Sequence, residues 1–171
     1  MSEHQVQNWQ VRKPLARSRG GVVASQSRIA AEIGARVLSG GGNAVDAAVA
    51  TGFALAAVEP WNSGLGGIGF MLVYSAKKGR VSVVDFGPIS PRGLDPAAYP
   101  LVGGGTTTRD LFTWPAVKDD RNVHGPLSFA VPGHPDGLGL ALEQFGTIQL
   151  ADAVKPAIEL VDQGLAVDWF L

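Results

Sequence analysis

The sequence contains no cysteine among its 171 residues. Disulfide scaffolds, zinc sites built on thiolates and cysteine nucleophiles are therefore excluded. A surplus of one charge is also lacking, because 14 Lys and Arg stand against 15 Asp and Glu. A protein that displaces counterions from phosphates needs excess basic residues, so we expect no nucleic-acid partner. We also expect neither a metal ion nor another cofactor.

Long hydrophobic runs are missing as well. No stretch reaches the roughly 18 to 20 apolar residues that a membrane-spanning helix needs, so we expect a soluble protein without a membrane partner. The first twenty residues are polar and mildly basic, with no apolar segment of the kind found in a secretory signal. We expect a cytoplasmic protein, or one that has lost a signal and acts in the periplasm or outside the cell. We divide the chain into a polar arm, residues 1–20, and one folded segment, residues 21–171.

The folded segment begins with a predicted strand at residues 22–24 and a helix that ends near Leu38. Ser25 or Ser27 can cap the start of this helix. Apolar residues recur at four-residue spacing along one side, which is typical of a helix with one buried face.

A second helix is predicted immediately after three glycines. Asn43 and Asp46 form a variant of the capping box, which begins a helix and places a carboxylate at its positive end. Residues 44–58 are apolar on nearly all sides and rich in alanine. This composition predicts a helix that is packed on every side at the centre of the fold.

A glycine-rich loop follows. Gly64, Gly66 and Gly69 satisfy the G-x-G-x-x-G pattern of dinucleotide sites, but such a loop should follow a strand and open a helix, whereas this one follows a helix and opens a strand. The glycines therefore indicate close approach of the backbone, either to a neighbouring element for packing alone or to a substrate. Residues 70–75 and 80–86 are predicted to form a β-hairpin.

Residues 87–126 contain many helix and strand breakers, which predicts a long irregular loop of functional importance. His124 in this loop is a candidate acid, base or anchor, or alternatively a histidine that only binds backbone. Neither Ser90 nor Ser128 stands in a nucleophile-elbow pattern. Two further helices are predicted at 137–145, with Asp136 as cap, and at 150–163, with Pro156 as a bend or restart and Gly164 as the stop. The chain ends on apolar residues without a polar tail, and we expect that it is cut at Leu171.

Several motifs together resemble one family. Residues 41–50 (Gly-Gly-Asn-Ala-Val-Asp-Ala-Ala-Val-Ala) and 64–70 (Gly-Leu-Gly-Gly-Ile-Gly-Phe) are similar to the N-terminal part of the large subunit of γ-glutamyltransferases. The similarity continues through 131–133, 145–146 and 155–160. It implies an α+β fold. The chain would form the N-terminal portion of the αββα sandwich of N-terminal-nucleophile hydrolases, and this sandwich is incomplete without the small subunit. Such enzymes are made as precursors that cleave themselves into the two subunits.

The resemblance also implies the chemistry. The nucleophile is the Thr exposed at the start of the small subunit, whose own α-amine can take the hydroxyl proton. The acyl-enzyme is resolved by water or by an amine, and glutathione is the usual donor. No catalytic residue is therefore expected in this chain. The threonines at 106–108 stand in the wrong context, and we expect the chain to be inactive alone.

The substrate contacts are predicted with one departure from the family. Where the family carries an Arg that grips the α-carboxylate of the donor, this chain has Gly87, unless Arg92 or Arg121 reaches the same place. Three functions remain open: the large-subunit portion of a γ-glutamyltransferase-like amidohydrolase, a cephalosporin or glutaryl acylase of the same family, and a non-catalytic binding module. The candidate substrate-binding residues have three origins. Gly66 and Gly67 are candidates by resemblance, and Gly87 is the position that departs from the family. Arg92, Asn122 and His124 are candidates by their polarity and loop context.

Overall fold

The computed structural model describes residues 15–107 and 113–165. Its helices are α1 (Arg28–Ser39), α2 (Ala44–Val58), α3 (Pro60–Ser63), α4 (His134–Phe145) and α5 (Leu150–Gln163). Its strands are β1 (Gly69–Ser75), β2 (Arg80–Phe86), β3 (Leu101–Thr107) and β4 (Trp114–Val117), and short 3₁₀ turns lie at Pro96–Ala98 and Lys118–Asp120. The mixture of helices and two small sheets confirms the α+β fold class.

Helix α2 lies at the centre of the described fold and packs against α1, α3, α4 and α5. Eight of its fifteen residues are buried, which confirms the central position predicted from its composition, although Ala44 and Ala48 remain exposed. The hairpin β1–β2 pairs in register from Gly69 with Phe86 to Ser75 with Arg80, as predicted. Its inner face, with Val84 fully enclosed, contacts α4 and completes the core.

The capping box of α2 also ties together distant parts of the chain. Asn43 accepts hydrogen bonds from the amides of Val45 and Asp46, and the Asp46 carboxylate accepts one from the Asn43 amide, as predicted. The same carboxylate reaches about a hundred residues along the chain to Thr147, accepting from its amide at 2.7 Å and from its hydroxyl at 2.5 Å. The start of α2 therefore holds the connection between α4 and α5.

Two predictions of secondary structure are wrong, and a third is wrong in part. Residues 22–24 are extended but pair with no strand among the described residues. A β-strand forms only where a second backbone supplies partners for its N–H and C=O groups. Residues 87–126 are not irregular throughout, because β3 pairs with β4 through Leu101, Thr106 and Thr107. The three glycines of β3 lie at the irregularity between these pairs, where a bulge favours glycine. Helix α5 continues through Pro156, so the predicted restart is wrong, whereas the alternative of a bend at Pro156 stays a prediction.

The predicted cap of α4 is also wrong. Asp136 lies in the first turn and does not cap the helix, which begins at His134 with Gly133 as the capping position. Pro135 fits the first turn of a helix because the missing amide hydrogen would have no partner there. The amides of Gly133 and His134 donate to the carbonyl oxygen of Gly67, so no side-chain cap is needed. Residues 1–14 of the predicted arm, Thr108 and the apolar end at 166–171 lie outside the described residues.

Candidate functional site

Three elements meet at residues 64–67, which we call the glycine loop. Within the loop, the Gly67 amide donates to the Gly64 carbonyl oxygen at 2.9 Å. The carbonyl oxygen of Gly67 also accepts hydrogen bonds from two amides outside the loop, those of Gly133 and His134, at 3.1 and 3.0 Å. The loop between α3 and β1 is thereby fixed to the first turn of α4.

The His134 side chain lies behind this loop. It is buried, and its ring is stacked nearly parallel to the rings of Phe53 and Phe86, with centroid distances of 6.4 and 6.2 Å. Its Nδ1 atom lies 3.2 Å from the carbonyl oxygen of Gly64. Sequence reasoning selected His124 and missed His134; the available signal was a His-Pro pair directly after Gly133, where a helix begins with proline.

The surroundings of Gly66 and Gly67 in the loop, and of Gly69 just after it, differ. A Cβ on Gly67 would lie 2.8 Å from the Gly64 carbonyl oxygen, and a Cβ on Gly69 would lie 2.7 Å from the Phe86 ring. These two positions support the packing interpretation. A Cβ on Gly66 would meet nothing within 4 Å, so packing among the described residues does not explain this glycine.

Gly87 lies at the same end of the hairpin as the glycine loop, because it directly follows Phe86, the register partner of Gly69. Its amide donates to Asp85 Oδ1 at 2.9 Å. A Cβ at this position would lie 3.0 Å from the Phe70 ring and 3.1 Å from Asp85 Oδ1. Both side chains are exposed and can move, so a larger residue fits here after a small adjustment.

The polar candidates lie in a separate segment. Residues 89 and 131 close this segment at its base through a single bridge, in which the Val131 amide donates to the Ile89 carbonyl oxygen at 2.9 Å. Arg92 lines a cavity of about 260 Å³ within it. Asn122 and His124 are exposed on the turn that follows β4.

Arg121 braces this segment. Its guanidinium donates to the carbonyl oxygen of Ala98 at 3.4 Å and pairs with Asp119 at 3.1 Å. These contacts favour a bracing role over a replacement for the Arg missing at position 87. No hydrogen bond in the described structure joins Arg92, Asn122 or His124 to the glycine loop. The structure therefore brings together Gly66, Gly67 and Gly87 and leaves the three polar candidates apart.

Among residues 15–107 and 113–165, no group of three or more His, Asp or Glu side chains could hold a metal ion. Within the same ranges, no helix is both long and apolar enough to cross a membrane.

Comparison with known proteins identifies the family. Residues 30–171 match the family model described as gamma-glutamyltranspeptidase. The chain belongs to this family. The resemblance predicted from the glycine and alanine motifs is therefore confirmed.

Several relatives of the γ-glutamyltranspeptidase family are similar over most of the chain. The glutathione hydrolase proenzyme of Bacillus subtilis (strain 168) is 37% identical over 148 residues, which cover 86% of this chain and 24% of the proenzyme. Helicobacter pylori γ-glutamyltranspeptidase is 34% identical, with a TM-score of 0.76 over 91% of this chain and 41% of that one. The cephalosporin acylase of Bacillus halodurans is 26% identical, with a TM-score of 0.77 over 99% of this chain and 29% of that one.

The chain thus spans about a quarter of the B. subtilis proenzyme. Both the γ-glutamyltranspeptidase and the acylase structures contain the arrangement of helices and hairpin described above, at identities above a quarter. This chain is similar to both structures, and their names indicate different acyl groups, so the similarity alone does not assign the acyl group.

Proposed function

We propose that this chain is the large-subunit portion of a γ-glutamyltransferase-like amidohydrolase and acyltransferase. The observation that carries the proposal is the family match over residues 30–171, together with a TM-score of 0.76 to a γ-glutamyltranspeptidase. The reaction is cleavage of a γ-glutamyl amide such as glutathione, followed by transfer of the acyl group to water or to an amine.

The catalytic nucleophile and the wall of the acyl site are assigned to different subunits in this proposal. A Thr hydroxyl becomes a nucleophile when a base removes its proton, and an N-terminal Thr carries such a base in its own α-amine. We place that Thr at the start of a separate small subunit cleaved from the same precursor. This chain then supplies part of the wall around the acyl group, at Gly66, Gly67 and Gly87, and has no activity alone.

The outer face of the hairpin supports a partner subunit. Its side chains alternate with those of the core face, and its apolar members are between 58% and 70% exposed. They are Phe70, Leu72, Tyr74, Val81 and Val83. A continuous apolar face of this kind is uncommon on a monomer and is typical of a surface that packs against another sheet.

The polar candidates belong to this proposal by their chemistry, since they lie apart from the glycine loop. The side chains of Arg92, Asn122 and His124 are exposed and make no hydrogen bond within the described ranges. Arg92 is the cation among them that can bind a carboxylate, if the substrate extends from the glycines to this segment.

The first experiment is intact mass measurement of the protein purified from its native gene, with N-terminal sequencing of any second chain. A co-purifying chain that begins with Thr, together with release of p-nitroaniline from its γ-glutamyl derivative, is expected. A single species without a Thr-led partner and without amidase activity would contradict the proposal and favour a binding module.

One observation favours a second function, an acylase for glutaryl or cephalosporin side chains. A donor with an α-carboxylate is best held by the paired donors of an arginine, and Gly87 offers none. The match to the cephalosporin acylase of B. halodurans, with a TM-score of 0.77, also covers 99% of this chain. In this case the enzyme cleaves glutaryl-p-nitroanilide and leaves the γ-glutamyl compound intact.

The variant Gly87→Arg distinguishes the two donors. If Arg92 does not already fill the role, Gly87→Arg is expected to raise kcat/KM for the γ-glutamyl compound by about tenfold or more, because a hydrogen bond to a charged group contributes about 1.5–3 kcal/mol. Gly87→Met is the matched control, since it adds similar bulk against Phe70 without the charge. Equal effects of the two variants would show that bulk, and not charge, acts at this position.

A further inference from the structure

His134 is the point at which three elements of the site converge. It is the first residue of α4, its ring is stacked with those of Phe53 of α2 and Phe86 of β2, and only 9% of the residue is exposed. The two ring planes deviate from the imidazole plane by 5° and 12°. Burial against two aromatic rings therefore restricts rotation of the imidazole and the direction of its nitrogen atoms.

The hydrogen bond to Gly64 defines the state of this ring. A carbonyl oxygen only accepts, so Nδ1 must carry the hydrogen across the 3.2 Å that separates it from the Gly64 oxygen. In the neutral ring, Nε2 is then the nitrogen without hydrogen. This tautomer is a specific property that can be measured.

The same residue holds both ends of the glycine loop. Its side chain binds the carbonyl oxygen of Gly64, and its backbone amide binds the carbonyl oxygen of Gly67 at 3.0 Å. Gly66 lies between these two fixed carbonyls, is exposed, and has open space where a side chain would stand. His134 thus fixes the carbonyl groups on both sides of Gly66, the loop position that faces open space.

We propose that His134 is a positioning residue, which fixes the glycine loop for the acyl group through the bond from Nδ1 to Gly64. The inference rests on the proposed function, because it assigns the loop to the acyl site. His134 touches neither the substrate nor the nucleophile in this arrangement. It acts by keeping the backbone around Gly66 in one conformation, which lowers the entropy lost when the acyl group binds.

Three substitutions separate the hydrogen bond from the packing of the ring. In His134→Asn, the side-chain amide nitrogen can occupy the place of Nδ1 and restore the donor. His134→Phe retains a ring that can stack with Phe53 and Phe86 but has no donor. His134→Gln carries its amide farther out, near the place of Nε2, and does not restore the bond.

The kinetic test uses the processed enzyme with the acyl donor that it cleaves. His134→Phe and His134→Gln are expected to raise KM for the donor about fivefold to tenfold, the factor that corresponds to one hydrogen bond, with a smaller change in kcat. His134→Asn should restore KM to within about twofold of the wild type. A merely structural role would reduce the fraction of folded enzyme and leave KM unchanged. Unchanged KM in His134→Phe, or an equal rise in all three variants, would overturn the proposal.

A second readout does not depend on activity. The ¹⁵N chemical shifts of His134 are expected to show hydrogen on Nδ1. Exchange of the Gly67 amide, which donates to the Gly64 carbonyl oxygen, should be faster in His134→Phe than in His134→Asn. A ring with hydrogen on Nε2 alone, or equal exchange in the two variants, would overturn the inference. If the wild type cleaves no amide, the proposed function fails, and these two measurements still decide whether His134 holds the loop.

Discussion

The substitution Asp46→Ala is expected to lower the free energy of unfolding by about 3–5 kcal/mol, as when one member of a buried charged network is removed. Asp46 is fully buried, and its carboxylate accepts from the amides of Asn43, Thr147 and Ile148 and from the Thr147 hydroxyl. Alanine removes the acceptor and leaves these donors without a partner. The connection between α4 and α5 should then separate from the start of α2.

The variant Asp46→Asn should be less severe, at about 1–3 kcal/mol for one unsatisfied buried donor. Its amide oxygen can replace Oδ1, which accepts from the amides of Thr147 and Ile148. Its NH₂ group then replaces Oδ2 and faces the Asn43 amide, so two donors meet. The Thr147 hydroxyl can rotate and accept, which limits the damage to the Asn43 contact.

The charge of Asp46 also predicts a pH dependence. Burial raises the pKa of its carboxyl, but the hydrogen bonds from Thr147, Asn43 and Ile148 lower it by more, so that the pKa lies below its ordinary value of 3.8. A carboxyl with a depressed pKa stabilises the fold fully above its unfolded pKa, and this contribution is lost as the pH falls through the folded pKa. The stability difference between the wild type and Asp46→Asn should therefore be constant near neutral pH and narrow below about pH 4.

Urea unfolding followed by circular dichroism at 222 nm measures these differences in the purified protein. Asp162→Asn is the matched control, because Asp162 is exposed near the end of α5 and its charge is unfavourable there; stability should stay within about 0.5 kcal/mol or rise slightly. If Asp46→Ala does not fold, Asp46→Asn still tests the argument. A loss below 1 kcal/mol for both variants, or a difference from the wild type that widens in acid, would refute the reasoning.

Two further substitutions test the packing and the caps by the same unfolding assay. Gly137→Ala should destabilise the protein by about 1–3 kcal/mol, because the added methyl group would overlap the Phe86 ring, and the cost of this overlap exceeds the gain in helix propensity of about 1 kcal/mol. A gain in stability would contradict the close contact of α4 with β2. Ser27→Ala should lower the free energy of unfolding by about 0.5–1 kcal/mol, at the low end for a helix cap, because the Ser27 hydroxyl accepts from the Ala30 amide over a long distance of 3.4 Å. A decrease of more than 2 kcal/mol would indicate a further role for this hydroxyl.

The elements that the sequence predicted well are those whose ends are set by nearby residues. Helix α2 begins at the predicted Ala44 because Asn43 and Asp46 form a local capping box, and it ends at the predicted Val58, just before Glu59 and Pro60. The hairpin β1–β2 is also local, since a four-residue turn joins two β-branched runs that pair directly. In these cases, neighbours along the chain supply the partner that each backbone group needs.

The elements that the sequence missed depend on distant partners. The start of α4 is fixed by the carbonyl oxygen of Gly67, more than sixty residues earlier, and no spacing rule reports such a bond. The strand β3 carries three glycines and forms because β4 offers backbone partners. Residues 22–24 show the converse, since their strand-like composition has no partner among the described residues and gives only extended chain.

The same distinction explains the candidate site. Gly66 and Gly67 were selected because they belong to a motif, yet the structure gives them different roles: Gly67 is needed to avoid a collision, whereas Gly66 faces open space. His134 belongs to no spacing pattern, and its importance arises only when α2, β2 and the glycine loop are brought around it. A residue whose role is to hold a loop in place is defined by contacts across the fold. The search for further positioning residues in this family should therefore begin from buried polar side chains that bind loop carbonyls, and not from motifs.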